Sequence, residues 1–405
     1  KFELVKTLLR GRKLSNNKTN QSNSSNVGFN VGSNVGSNVG SEESLIKEIF
    51  EYKMENSVFS KPVLFKDFLI VADYSGKIIS LNINGKTNKI NWKVSINKPI
   101  VANLEIWRNS IIAGDLEGNL YMLDVDSGKI LTKIRLDSPI FSIKAGVETI
   151  VIGAGKNVYV LSRELKILAS YDTGGLVQSQ ANFTDNLFFQ TSWGGKIHVL
   201  SEDGEIVKEF ISGTKYYTSG ASTPVILRDY ICVTNPFGGM QVFNCKDNER
   251  LEIRGLKAGC TSVTPLNIDK KQFLVCGIDG TITILRIDTK ESKKHLFVES
   301  QINIKSPIYG STAQVITYEI SKENKKNSES SANSKSLGVI QQMIVLGTTK
   351  GELVLLNFDQ EYNTLKLILK KKLYNSYILL PILVQNDYIV AVFTDGTIKV
   401  LKFNL

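Results

Sequence analysis

The sequence has little of what metal-dependent and nucleophilic catalysis uses. Its 405 residues include two histidines, His198 and His295, and four cysteines, Cys232, Cys245, Cys260 and Cys276. Two histidines nearly exclude a multi-histidine metal site, and no cysteine pair has C-x-x-C spacing. The cysteines read as buried free thiols of a reducing compartment, with two disulfides as the alternative. Ser-His-Asp or Cys-His chemistry needs a positioned base. His198 instead alternates with apolar residues in Lys196-Ile197-His198-Val199-Leu200, which predicts a half-buried strand residue. No G-x-x-x-x-G-K-[ST] run cradles a phosphate, and no run of 18 apolar residues could span a membrane as a helix. Catalytic residues, a metal and a cofactor are therefore not expected.

What is present suits a large core. Hydrophobic residues make up 42% of the chain and charged residues 22%, near the globular average. The net charge of +10 is spread over Lys1–Lys18 and Lys370 to Lys372. It forms no aromatic-interleaved stripe, so it reads as solvated surface and a basic tail rather than a nucleic-acid site. The chain starts at Lys1 rather than methionine, as a fragment or processed product would. Residues 1–44 differ from the rest. Phe2, Val5, Leu8 and Leu9 fall at helical spacing, and then Asn-Val-Gly or a variant recurs from Asn26, Asn30, Asn34 and Asn38. This predicts a helix stub followed by a disordered linker, because such a tract cannot bury enough apolar surface to offset its ordering entropy.

From about Leu45 onward the chain repeats. Phe68-Leu69-Ile70-Val71-Ala72 precedes Gly76, and Lys77-Ile78-Ile79-Ser80-Leu81 follows it. The same hairpin pattern returns around Gly118, Gly155, Gly195, Gly239, Gly280, Gly351 and Gly396, at spacings of 42, 37, 40, 44, 41, 71 and 45 residues. A polar insertion at about 321–336 accounts for the long interval. β-Branched and aromatic residues fill the runs, and Asp-Gly, Gly-Gly, Glu-Gly and Ser-Gly supply tight turns. A period near 41 residues with nearly continuous apolar strands is the pattern of a β-propeller, in which each sheet is covered on both faces. The fold class expected is all-β, an eight-bladed β-propeller over 45–405; a β-sandwich pair is the alternative. The last unit is one strand short. The orphan segment Leu45–Met54 is expected to supply it and close the ring, with a helix there as the alternative.

Within each unit a glycine, an apolar alternation and then Leu-Asp or Leu-Asn resemble the pyrroloquinoline-quinone-like propeller repeat of the quinoprotein dehydrogenase-like superfamily. Gly118-Asn119-Leu120-Tyr121-Met122-Leu123-Asp124 and Gly76-Lys77-Ile78-Ile79-Ser80-Leu81-Asn82 carry the pattern, and Trp92 fits its tryptophan docking position. Strand entries such as Lys98-Pro99-Ile100, Ser138-Pro139-Ile140-Phe141-Ser142 and Ser306-Pro307-Ile308-Tyr309 match as well. The entry style is similar to the C-terminal propeller of the β-alanine-activating enzyme. That resemblance implies a non-catalytic interaction or ligand-sensing module of a larger, cytoplasmic, acyl-adenylating protein, although no adenylation or carrier motif stands in this chain. A scaffold for membrane or secretory protein assembly is the alternative. A quinone-dependent dehydrogenase fits poorly, since the three tryptophans are few and no two cysteines are adjacent.

The partners expected are other domains of a larger polypeptide, or a protein or peptide bound by a monomeric propeller, with no nucleic acid and no transmembrane segment. The candidate ligand site is the mouth of the central channel, where strand entries are polar: Gln178-Ser179-Gln180, Thr218-Ser219, Thr261-Ser262, and Tyr309 with Ser311 and Thr312. Close packing around a wet axis explains small polar residues there equally well. Asp73, Asp115, Asp279 and Asp395, just ahead of hairpin glycines, are expected to bind local turn amides.

Overall fold

The computed structural model describes residues 45–84, 90–212, 222–235, 239–253, 259–288, 295–310, 313–320 and 339–403. The stub and linker of 1–44 and the insertion at 321–336 lie outside them. Every regular element among the described residues is a strand, so no helix there is long and apolar enough to cross a membrane.

The strands form eight sheets in a ring, the eight-bladed propeller that the repeat predicts. Blade 1 is Val63–Phe65, Phe68–Ala72, Lys77–Asn82 and Ile90–Ser95, and each strand is antiparallel to the next. The reason for its continuously apolar second strand lies in its two neighbours. Leu69 and Val71 pack into a cluster with Val390, Val392 and Ile398 of blade 8. Ile70 and Ala72 face the other way, against Ile111 and Ala113 of blade 2. Side chains alternate with a period of two, and both faces are buried, so neither set can be polar. The core is accordingly eight separate clusters among the described residues, one between each pair of adjacent blades.

Two backbone devices recur from blade to blade. At one end, in seven of the eight blades as described, the hairpin-turn amide donates to the carbonyl of the segment entering that blade. Tyr74 N–H reaches Ser57, Leu116 reaches Pro99, Gly155 reaches Pro139, Thr349 reaches Pro307 and Thr394 reaches Tyr377, at 2.7–3.0 Å. Proline is tolerated at these entries because the carbonyl, not the missing N–H, makes the bond. The turn also presses on the segment leaving its blade. Gly118 has φ +86° and approaches Leu136 so closely that a Cβ would stand 2.3 Å from its carbonyl oxygen. At the rim, a bulge recurs where the third strand meets the outer one, for example between Met122 and Leu123 and between Val160 and Leu161. Bulges bend outer edges away from flat pairing with other chains.

Ring closure follows the expected clasp. Ile46–Lys53 pairs antiparallel with Thr397–Phe403 and completes the last blade. Ile46 inserts between blades 7 and 8, and Met54 between blades 8 and 1. Lys399, largely buried, reaches Glu48 and Glu51, each at 2.9 Å. Burial alone would push its ammonium down, but the two carboxylates outweigh that and hold its pKa above the ordinary value.

Blade 5 departs from the repeat. It shows three strands among the described residues, Val225–Leu227, Tyr230–Asn235 and Gly239–Asn244. Glu252–Ile253 instead runs parallel to the outer strand of blade 6, pairing with His295 and Leu296. Leu251 is drawn into the cluster between the two blades, which carries the following residues across to the neighbouring edge.

Candidate functional site

Strand entries and hairpin turns meet at one end of the channel and enclose a cavity of about 390 Å³. Gln178, Thr261 and Tyr309 of the anticipated set line it. Thr218, Ser219, Ser311 and Thr312 lie outside the described residues. Ser179, Gln180 and Ser262 do not line it. Ser179 is buried, hydrogen-bonded to the Thr191 hydroxyl and accepting from Gln190 Nε2 at its carbonyl, 2.8 Å. Ser262 is buried beside Cys276. For these two the packing explanation holds, because alternate residues of an innermost strand face the adjacent blade.

The entries are also less polar than their sequence suggested. Each puts a buried aliphatic residue into an inter-blade cluster, and the next residue is turned out of it. The pairs are Val58 then Phe59, Val177 then Gln178, Ile308 then Tyr309, and Ile378 then Leu379. Phe59 and Leu379 thus line the mouth, and sequence reasoning passed over them. The signal was available, since the residue after the recurring aliphatic occupies an equivalent place in successive units. Phe59 and Tyr309 remain 45% and 50% exposed, and the Phe59 ring meets that of Tyr74 edge-on with centroids 5.9 Å apart. Ser222, Thr234 and Thr394 add hydroxyls. The Ser222 and Thr234 hydroxyls stand 3.0 Å apart.

Two residues beyond Gln178, Gln180 joins a network across blades 1 to 4. Its carbonyl oxygen accepts from Asn103 Nδ2 at 3.0 Å, and its Nε2 donates to Glu105 Oε2 at 3.3 Å and to the Ile143 carbonyl at 3.2 Å. Glu105 Oε1 accepts from Lys144 Nζ at 2.7 Å and from the Ala145 amide at 3.3 Å. Asn103 Oδ1 accepts the backbone N–H of Lys61 at 3.1 Å. Burial pushes the Lys61 ammonium down; Glu105 opposes that shift and Lys144 adds to it.

Three solved structures share this arrangement of blades. BamB from Moraxella catarrhalis superposes with a TM-score of 0.62 at 14% identity, covering 89% of this chain and 98% of that one. The computationally designed Ika8 protein gives 0.65 at 15% identity, covering 87% and 98%. The C-terminal WD40 domain of Sif2 gives 0.65 at 12% identity, covering 89% and 99%. What they share with it is the fold. No family model matches the sequence, and no curated protein does.

Outside the mouth, the residues with catalytic potential are structural. His198 is 2% exposed, fully rather than half buried, because both faces of its strand are covered. Its Nδ1 lies 2.9 Å from Glu209 Oε1. All four cysteines are free, three buried and Cys245 half-buried. Burial pushes the Cys260 and Cys276 thiols up to about 12. The turn aspartates bind their own turns. Asp73 Oδ1 accepts the Ser75 and Lys77 amides at 2.9 and 3.0 Å, and Asp115 Oδ1 accepts those of Glu117 and Asn119, both at 2.9 Å. Among the described residues no group of three His, Cys, Asp or Glu side chains could hold a metal ion.

Proposed function

We propose that this propeller is a non-catalytic module that receives a partner segment or small ligand at the channel mouth. The observation that carries the reading is the cavity of about 390 Å³, within the ordinary size range of ligand sites, whose lining mixes an apolar rim with hydroxyl and amide groups. Rigid aromatic side chains beside a few polar groups bind extended segments at low entropic cost. The finer reading is a propeller of the β-alanine-activating type, in the cytoplasm, within a larger acyl-adenylating protein. Its support is the repeat resemblance and the blade-entry pattern. Assembly of membrane or secretory proteins is the second reading, and its support is the same repeat resemblance.

Peptide-display selection on the full chain tests the site. Selected binders should lose at least tenfold in affinity with Tyr309→Ala or Phe59→Ser and none with Val147→Ser, an exposed residue of the turn between Ile140–Ala145 and Ile150–Ala154, at the opposite end. Binders that map away from the mouth would overturn the reading. The sequence upstream of Lys1 tests the finer reading: adenylation and carrier motifs support it, and a signal peptide or lipid-anchor cysteine opposes it.

A further inference from the structure

One seam at the hairpin-turn end of the propeller carries charge that the protein does not balance. Elsewhere at this end lysines meet carboxylates. Lys98 meets Glu117 at 2.5 Å, Lys156 meets Asp172 at 2.5 Å, Lys196 meets Glu209 at 2.8 Å, and Lys77 pairs with Glu55. Between blades 6 and 7 they meet backbone instead. Lys350 Nζ donates to the Lys305 carbonyl at 3.3 Å, Lys372 Nζ to the Lys350 carbonyl, and Lys370 Nζ to the Ile304 carbonyl at 2.8 Å. Of the four, Lys370 alone reaches a carboxylate among the described residues, Glu352 at 3.6 Å. Lys305, Lys350 and Lys372 are exposed. The acidic turn residues on either side are engaged: Asp279 accepts the Thr281 amide and hydroxyl, and Asp395 holds Lys53 at 2.5 Å. A carbonyl oxygen accepts a hydrogen bond but carries no net charge, so four ammoniums face one carboxylate and the patch attracts anions.

This patch is continuous with the mouth. Residues 304–310 carry the chain inward from the outer strand of blade 6, with Lys305 near the outer end and Tyr309 at the cavity. The hairpin turn that bears Lys350 is fixed to the middle of this segment. Thr349 donates to the Pro307 carbonyl from its amide at 3.0 Å and from its hydroxyl at 3.1 Å. On the other flank the Ile378 amide donates to the Thr348 carbonyl at 3.2 Å, and the preceding residue, Tyr377, is 60% exposed. Lysines and exposed tyrosines thus share one surface leading outward from the cavity. Four residues of extended chain span at most about 14 Å, so a segment with one residue at Tyr309 passes the lysines three to five residues away.

Building on the mouth as the binding site, we propose that its partner is an extended acidic protein segment. An apolar or aromatic residue occupies the cavity beside Phe59 and Tyr309, and aspartates or glutamates three to five positions away pair with Lys305, Lys350 and Lys372. A short segment fits better than a nucleic acid or an anionic membrane. The unbalanced lysines are confined to one seam, and the flanking turns present Asp279 and Asp395, which repel a polyanion extending beyond it.

The test sequences the peptides that display selection recovers on the full chain at low salt. Enriched peptides should carry aspartate or glutamate three to five positions from an apolar residue. A selected peptide should weaken roughly tenfold or more when its acidic residues become asparagine or glutamine, and the loss should shrink as salt rises. The triple variant Lys305→Gln, Lys350→Gln and Lys372→Gln should no longer distinguish the acid from the amide form. Reversing charge with Lys350→Glu and Lys372→Glu should turn the preference towards the amide form, a change of sign that mere support of the fold would not produce. Lys166→Gln, Lys270→Gln and Lys366→Gln together remove as much charge from exposed positions at the opposite end and should bind as the parent does. Binders that need Phe59 and Tyr309 but show no acidic enrichment, or bind equally as acid and amide, would overturn the acidic segment and keep the mouth. Acid binding lost in the lysine triple but indifferent to Phe59→Ser and Tyr309→Ala would overturn both, since one segment must occupy both places. Oligouridylate or phosphatidylserine vesicles binding more tightly than the selected peptides, and losing that binding in the lysine triple, would assign the patch to a polyanion and overturn the peptide. Recovery of no binder at all would overturn the mouth reading and the proposal with it.

Discussion

Truncating Ile46 should open the ring at one place. Its side chain is 2% exposed and packs among Leu353, Leu355 and Leu401 of the last two blades. Removing a buried isoleucine to alanine costs ~2–5 kcal/mol through lost transfer energy and the residual cavity. Taking ~3 kcal/mol, and tenfold per 1.4 kcal/mol, the clasp opens about a hundred times more often. Hydrogen exchange at neutral pH reads this directly. In Ile46→Ala, amides of Thr397–Phe403 bonded to the clasp should exchange roughly a hundredfold faster. Those of Leu187–Thr191, in the middle of blade 4 across the ring, should change far less. Deleting Leu45–Met54 should abolish the protection and lower the thermal transition strongly, whereas deleting Lys1–Gly40 should leave the transition nearly unchanged. Equal acceleration in every blade would refute closure as a separable event, and unchanged exchange at Thr397–Phe403 would refute the clasp.

Gly128→Ala should destabilise the chain by ~2 kcal/mol or more in urea denaturation, since φ is +71° and a Cβ would stand 2.4 Å from the Trp92 ring, which is itself tied to the Val125 carbonyl at 3.0 Å. Stability should fall as pH drops from 7 towards 5: burial depresses the His198 pKa in the folded state against Glu209, so the unfolded chain binds the extra proton first. His198→Phe should flatten that pH window in denaturant midpoints, and a profile identical to the parent would contradict the assignment. Thiol counting in denaturant without reductant should find all four cysteines. In the native chain Cys245 should react first, and slowly, as burial lifts its thiol to about 11; fast labelling of Cys232 would contradict the packing between blades 5 and 6.

The architecture was legible because a propeller writes its constraints locally. The eight hairpin glycines all adopt positive φ or mark the turn itself, and residues such as Leu69 to Ala72 must be apolar on both faces wherever their neighbours sit. The clasp was legible from a count, because a last unit of three strands leaves an edge that Ile46–Lys53 covers. The turn aspartates were legible too, since their partners lie two and four residues away.

The mouth was not legible in the same way. Thr261 and Ser262 are adjacent in sequence, yet one lines the cavity and the other packs into the next blade, a choice made by strand register. Asn103 meets Gln180 only because the ring brings blades 2 and 4 to a common axis, 77 residues apart along the chain. The sequence by itself determined that sheets of about forty residues would stack and close, because patterning of period two and turn chemistry act between near neighbours. Only the tertiary structure decided which side chains converge on the channel, because convergence depends on the curvature of the whole ring.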